Sequence, residues 1–327
     1  MRAIVQDRYG GPEQLRLAEV ETPVPGAGEV LIRVRAAALN AYDWHFMRGD
    51  PYVMRTSMGL TRPGRRIRGR DVAGEVADVG PGVTEFAKGD EVFTDPGHAQ
   101  GAFAEFVCVP QELVAPKPAN LSFAQAAALP LAAGTALVCL REAGLRSGQR
   151  ILINGASGGV GTFAVQIAKA FGAEVTAVCS TRNLALAGEL GADHVIDYTT
   201  GDFPKPPIAY DVVLDLVGNH RLRELLGLLE PGGTLVLSGG GVSTGGSLIG
   251  PMPLIFSGML LARFLRRRRL VVPTPVASRA LLDELRRLTE SGQVTPAIDR
   301  TFPLAEAPAA LRYLETEHAR AKVVLTV

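Results

Sequence analysis

Cysteine is scarce in this chain. There are three in 327 residues, Cys108, Cys139 and Cys179, far apart and without C-x-x-C spacing. Neither a disulfide framework nor a cysteine-based structural zinc site follows from such a pattern. Free thiols of this kind suit a reducing compartment, so a cytoplasmic location is expected. An excess of one charge is also missing. Lys and Arg number 34 against 33 Asp and Glu, a formal net charge of +1, and no basic footprint for nucleic acid appears. The five histidines, His45, His98, His194, His220 and His318, have no metal-ligand spacing. His45 near Asp43 is the one tempting pair, and an ordinary polar contact is the expected use. The opening MRAIVQDRYG lacks the charged, apolar and cleavage regions of a signal peptide and reads as a first strand.

Long apolar runs are rare too. The exception is LIGPMPLIFSGMLLARFLRRRR (248–269), whose apolar part of about eighteen residues is near the lower limit for a bilayer span. Pro251, Pro253, Gly258 and Arg263 argue against spanning. A buried lid or subunit-interface helix with a basic edge is the favoured reading. Contact of its terminal arginines with anionic lipid is the alternative.

The length fits two domains, and 47% apolar with 20% charged residues fits a globular enzyme. The first 120 or so residues hold runs suited to an antiparallel unit: EVLIRVRAAAL (29–39), DVAGEVADVG (71–80), DEVFT (90–94) and AFAEFVCVP (102–110). Ser122 is placed to cap a helix. A β-α-β rhythm then begins with RILIN as a buried strand and VGTFAVQIAKAFG as a helix. Val160, Phe163, Ala164, Ile167, Ala168 and Phe171 form its apolar stripe. EVTAVC, HVIDY, DVVLDLVG and TLVLSGG continue as strands, with LVVPTP (270–275) as a sixth; RLRELLGLLEPGG reads as helix plus turn. Such alternation means a parallel sheet covered by helices. The last stretch, with a helix from Ser278 to Glu290, AIDRTFP, another helix and KVVLTV, is expected to pack back on the first unit.

Between the first strand and helix of that rhythm lies Gly155-Ala156-Ser157-Gly158-Gly159-Val160-Gly161. A strand ending in a glycine turn that opens a helix is a phosphate cradle, because the helix start offers unpaired N–H groups and partial positive charge. In the dinucleotide fingerprint, Gly158 lets pyrophosphate approach and Gly161 lets helix pack on strand, while Ala156 stands where the first glycine usually is. NAD sites usually carry an acid about twenty residues further on. Here about nineteen residues past Gly161 lies Ser180-Thr181-Arg182, with no acid. Hydroxyls and a guanidinium suit a 2′-phosphate, so NADP(H) is favoured over NAD(H). Arg182 as a merely solvated first-turn residue is the competing reading.

With these motifs the chain resembles a medium-chain dehydrogenase/reductase nearly end to end. The resemblance is carried by GRDVAGEVADVG (69–80), FAKGDEVF (86–93), GAFAEFVCVP, LPLAAGTAL (129–137), the glycine-loop segment, LGADHVIDY (190–198), GQVTPAIDRTFPL (292–304) and HARAKVVLTV (318–327). It is strongest to the zinc-independent quinone oxidoreductase branch, near the reticulon-4-interacting-protein-like oxidoreductases. It implies an α/β fold: a doubly wound parallel Rossmann sheet (122–274) inserted in a GroES-like, mostly-β catalytic domain (1–121 and 275–327). It also implies a cleft between them and a homodimer. Zinc alcohol dehydrogenases of this superfamily place a Cys on the segment matching ALNAYDW and a His in G-H-E; here Asn40 and Arg70 stand in those places. Zinc chemistry is therefore not expected, and hydride transfer to a quinone or to the C=C bond of an enone is. An enolate oxygen needs only hydrogen-bond donors. Reduction of saturated aldehydes or ketones, and NADPH binding without turnover, are the rivals.

By the same resemblance Asn40 orients the nicotinamide or a carbonyl, accompanied by Asp43, and Tyr52 is either a proton donor or a packing tyrosine. Thr135 is assigned to the nicotinamide ribose, Tyr198 to the adenosine phosphate and Lys322 to the cofactor. Ala321 stands where relatives have glycine. Val217, Ser238 and Gly239 end strands four and five, where open α/β sheets bind ligands. The basic loop 49–68 either covers the site, attracts an anionic substrate, or is simply solvated.

Overall fold

Period-two alternation of β-branched residues builds the strands of the N-terminal part. The computed structural model describes residues 1–201, 203, 209–239, 258, 268–274, 276–317 and 319–327. In chain order these form β1 (Arg2–Gln6), β2 (Leu15–Glu19), β3 (Glu29–Leu39), α1 (Ala41–Arg48), α2 (Arg55–Met58), β4 (Asp71–Val79), β5 (Glu91–Thr94), β6 (Phe106–Pro110), β7 (Val114–Pro116), α3 (Phe123–Ala127) and α4 (Pro130–Ala143). There follow β8 (Arg150–Asn154), α5 (Gly159–Ala170), β9 (Glu174–Cys179), α6 (Leu184–Glu189), β10 (His194–Asp197), β11 (Tyr210–Asp215), α7 (Leu222–Gly227), β12 (Leu229–Leu237) and β13 (Arg269–Val271). The chain ends with α8 (Arg279–Glu290), β14 (Ile298–Pro303), α9 (Ala307–Thr316) and β15 (Lys322–Thr326). It divides into two compact units, Met1–Gly134 with Val276–Val327, and Thr135–Pro275.

In the first unit β3 is the organising strand. One edge pairs with β4; the other is shared, Glu29–Arg33 pairing with β6 and Ala36–Leu39 with β15. The sheet runs β14-β15-β3-β4-β5-β7, with β6 on β3. The C-terminal tail thus adds two strands to a sheet begun some three hundred residues earlier, as its apolar KVVLTV pattern requires of a buried strand. Ile4, Ile32, Leu39, Phe103 and Leu325 lie in its core. Ser122 caps α3, its Oγ accepting from the Gln125 N–H at 3.3 Å. Because α3 packs on β3, β4 and β15, the compact unit runs on to Gly134, past the expected junction at residue 121.

The second unit is a six-stranded parallel sheet in the order β10-β9-β8-β11-β12-β13. This is the doubly wound arrangement, and the direction of winding reverses between β8 and β11. Several details differ from the sequence pattern; the strand expected over 270–275 covers only Arg269–Val271. Where helix plus turn is expected over 221–233, the helix stops at Gly227 and β12 already begins at Leu229. Tyr210 aligns with Leu229 but Val212 with Thr234. Pro231, which lacks an N–H, and Gly232, at φ +92°, interrupt the ladder there. The apolar stripe of α5 is also wider than expected: Thr162, Val165 and Gln166 are buried with it, as in a helix covered on more than one side. Phe171, expected on the stripe, is half-buried beyond the helix end. Most of the 240–272 insert, including all of the run 248–269 except Gly258, Arg268 and Arg269, and His318 lie outside the described residues.

Candidate active site

The second unit presents a glycine-built end. β8 stops at Asn154, and Gly155 turns the chain with φ +86°, a conformation that Cβ disfavours. The turn thus belongs to Gly155, so alanine at 156 costs nothing in backbone. Gly158 is the N-cap of α5 and leaves the helix start without a side-chain cap. The N–H groups of Gly159, Val160 and Gly161 form the first turn, which has no intrahelical acceptors. A Cβ on Gly161 would lie 2.1 Å from the Gly155 carbonyl oxygen and 2.7 Å from Ala156 backbone carbons. Helix and loop therefore meet at backbone distance.

Side chains lock this end to the neighbouring strand tips. Asn154 Nδ2 donates to Asp215 Oδ1 at 2.8 Å and to Asn219 Oδ1 at 3.0 Å. The N–H groups of Val217 and Gly218 donate to the same Asp215 oxygen at 3.2 and 3.1 Å. Those of Ser238 and Gly239 donate to the Asp215 main-chain oxygen at 3.0 and 3.1 Å. Asn183 Nδ2 bridges Ser157 Oγ at 3.0 Å and Ser180 Oγ at 3.1 Å. The sequence-selected Ala156–Gly161, Ser180, Val217, Ser238 and Gly239 thus gather at the carboxyl edge of one sheet, beside the switch point. Thr135 sits half-buried in α4, and Tyr198, 56% exposed, follows β10.

Thr181 shows what residue counting along one strand missed. Its Oγ1 donates to Asp197 Oδ2 at 2.6 Å. Asp197 ends the adjacent strand β10, opposite Cys179, and also accepts from the Thr199 N–H and hydroxyl at 2.9 and 2.7 Å. The Thr181 hydroxyl and those of its neighbours hold this carboxyl below its ordinary value. An acid therefore stands near the expected 2′-phosphate position, reached through sheet pairing rather than through spacing.

The first unit contains a different kind of site. Lys322, 2% exposed, directs its ammonium to Leu39 O at 3.0 Å, Asn40 Oδ1 at 2.6 Å and Asp71 Oδ2 at 3.1 Å. Those three acceptors use its three N–H donors. Asn40 Nδ2 donates to Asp71 Oδ2 at 2.9 Å, and the Leu131 N–H donates to Asp71 Oδ1 at 2.9 Å. The Asn40 main-chain N–H donates to Asp43 Oδ2 at 2.8 Å, tying the start of α1. Burial pushes the Asp43 carboxyl up to about 7. Burial also raises Asp71, opposed by the Lys322 charge. Arg70 pairs bidentately with Asp95, at 2.9 and 2.5 Å, and its guanidinium lies over the Tyr42 ring. Burial moves the Tyr42 phenol up to about 12.

His45 turns away from Asp43 and places Nδ1 2.9 Å from the Asp50 carbonyl oxygen. Tyr52 is 41% exposed, and its ring stacks on Arg55, which lies 4.5 Å from both the Tyr52 and Tyr9 ring centres. Part of the basic loop is thereby held: Arg66 pairs with Asp7 at 2.7 Å, and Arg68 is buried against Gln6 and Gln100. Arg62 and Arg65 are exposed. Among the described residues, no group of three or more His, Cys, Asp or Glu is arranged to hold a metal ion.

Comparison with known proteins agrees with both architectures. Residues 26–119 match the alcohol dehydrogenase GroES-like domain, and residues 190–325 match a family described as zinc-binding dehydrogenase. The chain is 37% identical to the mitochondrial NAD(P)H oxidoreductase RTN4IP1 of Mus musculus, over 100% of this chain and 89% of that one. It is 35% identical to a chloroplastic NADPH-dependent alkenal/one oxidoreductase of Arabidopsis thaliana, over 99% and 79%. The quinone oxidoreductase of Coxiella burnetii superposes with a TM-score of 0.85 at 32% identity, over 100% and 99%. The chain belongs to the medium-chain dehydrogenase/reductase family, in its quinone oxidoreductase branch.

Proposed function

We propose that this protein is an NADPH-dependent oxidoreductase that reduces a quinone, or the C=C bond of an α,β-unsaturated carbonyl compound, without zinc. The observation that carries the reading is the uncapped, glycine-built start of α5 at the switch point of the parallel sheet. Its first-turn N–H groups bind the cofactor pyrophosphate. Ser180, Thr181 and Arg182 take the 2′-phosphate, and Thr135, Tyr198, Val217, Ser238 and Gly239 flank the rest of the dinucleotide. Bound NADPH supplies the hydride. In conjugate addition the charge moves to an enolate oxygen, and a proton from water or a hydroxyl completes the reduction.

Zinc does not fit the residues of the first unit. Asn40 and Arg70 are poor ligands, and the fixed cations Lys322 and Arg70 share one buried cluster. A dication there meets like charge. Asn40 and Asp43 form the polar pair assigned to the reacting end. Tyr52, held on Arg55, is the candidate proton donor. The relatives named above, which act with NAD(P)H or NADPH, support the cofactor and the acceptor class.

No helix among the described residues is long and apolar enough to cross a membrane. A cytoplasmic homodimer without membrane contact is the assembly we propose; the free cysteines and the family resemblance support it. Sedimentation of the full chain tests the dimer.

The activity is tested by following NADPH and NADH oxidation by purified, chelator-treated protein. The acceptors are a para-quinone, an enone and a saturated aldehyde. Turnover of quinone or enone with NADPH preferred is the expected result. Activity with the aldehyde alone, or dependence on added zinc, refutes the corresponding part. Tyr52→Phe distinguishes a proton donor, whose loss lowers enone turnover by about a hundredfold, from a packing tyrosine, whose loss leaves it unchanged.

A further inference from the structure

The Lys322–Asp71 pair is buried, at 2% and 0% exposure, and its hydrogen bonds converge on one neutral side chain, Asn40. An amide can present either its N–H2 or its oxygen to a partner. Here the choice is made by charge. The ammonium of Lys322 lies 2.6 Å from Asn40 Oδ1, and the carboxylate of Asp71 lies 2.9 Å from Nδ2. Flipping the amide would set Nδ2 against the ammonium and Oδ1 against the carboxylate, turning two attractions into two repulsions where water cannot screen them.

The hydrogen-bond inventory then limits what Asn40 can offer. One N–H goes to Asp71 and the other faces Ala38 O at 3.4 Å. The Asp43 N–H goes to the Asn40 main-chain oxygen at 2.9 Å, not to its side chain. Oδ1 accepts from Lys322, and an amide oxygen has two lone pairs. Asn40 is only half-buried, so a ligand can reach it.

We propose that Lys322 and Asp71 are positioning residues that hold the Asn40 amide in one orientation, so that Asn40 accepts a hydrogen bond from an N–H or O–H of the bound ligand and does not act as an enolate-stabilising donor. The proposal rests on the oxidoreductase reading above. That reading offers two sources of such a donor: the carboxamide N–H2 of the reduced nicotinamide, and the hydroxyl of a quinol product. Lys322 thus acts on the ligand through Asn40 rather than by touching the cofactor.

The test uses the full chain and four variants: Asn40→Ala, Lys322→Met, Lys322→Arg and the double variant Lys322→Met with Asp71→Asn. The double variant removes both buried charges together, so it remains informative if the single change unfolds the protein. Affinity is measured for NADPH and for its acetylpyridine analogue, in which a methyl group replaces the carboxamide nitrogen. Steady-state constants are measured for a quinone and an enone.

If the carboxamide is the donor, Asn40→Ala weakens NADPH about tenfold and leaves the analogue unchanged. The double variant then follows in the same direction, and Lys322→Arg recovers most of the loss. If the quinol hydroxyl is the donor, cofactor affinities stay constant, and kcat/KM falls for quinone but not for enone. Either pattern supports the assignment. Equal weakening of NADPH and analogue, or a kcat loss confined to the enone, overturns it. Wild-type protein that binds no NADPH overturns the oxidoreductase reading as well, whereas normal wild-type binding with variants that fail to discriminate overturns the positioning role alone.

Discussion

The parallel-sheet unit and the antiparallel unit present polar groups in opposite ways. In the first, the helix start at the strand tips offers peptide N–H groups with no side-chain cap, and glycine lets the backbone segments meet closely. In the second they are charged and amide side chains from positions 40, 43, 70, 71, 95 and 322, held in a buried cluster. Backbone recognition is indifferent to pH and intolerant of added volume. A buried side-chain cluster tolerates modest changes of volume but depends on the charge state of every member. Each unit should therefore fail in its own manner.

The largest effect is expected from added volume. Gly161→Val puts a branched side chain where even a Cβ meets the Gly155 carbonyl at 2.1 Å. Overpacking of this kind costs about 1–3 kcal/mol or more, and NADPH affinity should fall by about a hundredfold or be lost. Calorimetric titration checks it; normal binding would mean that the loop is not the cradle.

Charge state decides the second. Asp43 has an ordinary value of 3.8 and is raised by burial to about 7. Between those values the folded chain holds a proton that the unfolded chain has released. Stability therefore falls as pH rises through this window and is lowest above it. Asp43→Asn keeps an oxygen to accept the Asn40 N–H and removes the titration. Denaturant unfolding at acid and alkaline pH should show a slope in the wild type, on the order of a few kcal/mol across the window, and a flatter profile in the variant. Equal slopes would mean that the carboxyl is ionised at little cost.

A third change separates the two charges at the edge of the parallel sheet. Arg182→Ala should lower the preference for NADPH over NADH about tenfold, the scale of one charge-assisted hydrogen bond. Asp197→Asn should move the ratio in the opposite direction, since it removes a negative charge beside Thr181. Initial rates with both cofactors give the ratio directly, and a common direction for the two variants would contradict the assignment.

The smallest effect concerns the backbone leading into Lys322. Ala321 holds φ +52°, a left-handed conformation that costs an alanine about 1 kcal/mol relative to glycine. Part of that is offset by the greater freedom of glycine in the unfolded chain. Ala321→Gly should stabilise the protein by about 0.5 kcal/mol, read from the denaturation midpoint, while leaving the Lys322 contacts in place.

Local signals made much of the architecture legible. EVLIRVRAAAL, RILIN and EVTAVC are strands over the very residues their patterns mark, and Ser122 caps the helix it precedes. The glycine loop was legible for the same reason: a turn, a close approach and a helix start are properties of consecutive residues. Where the pairing of one strand with another decided the outcome, legibility failed. The early start of β12 depends on its partner β11, not on its own residues. Asp197 comes to Thr181 only because β10 lies beside β9.

By itself, then, the sequence determined the parallel sheet, the glycine-built geometry of its first turn and the antiparallel unit, since these follow from periodicity and backbone freedom over short stretches. Only the tertiary structure decided that Lys322 would meet Asp71 across 251 positions and fix the Asn40 amide between them. No sequence pattern encodes that meeting. It arises because β15 pairs with β3 and β3 with β4, and a buried ammonium among strand ends must find every acceptor it needs within the protein.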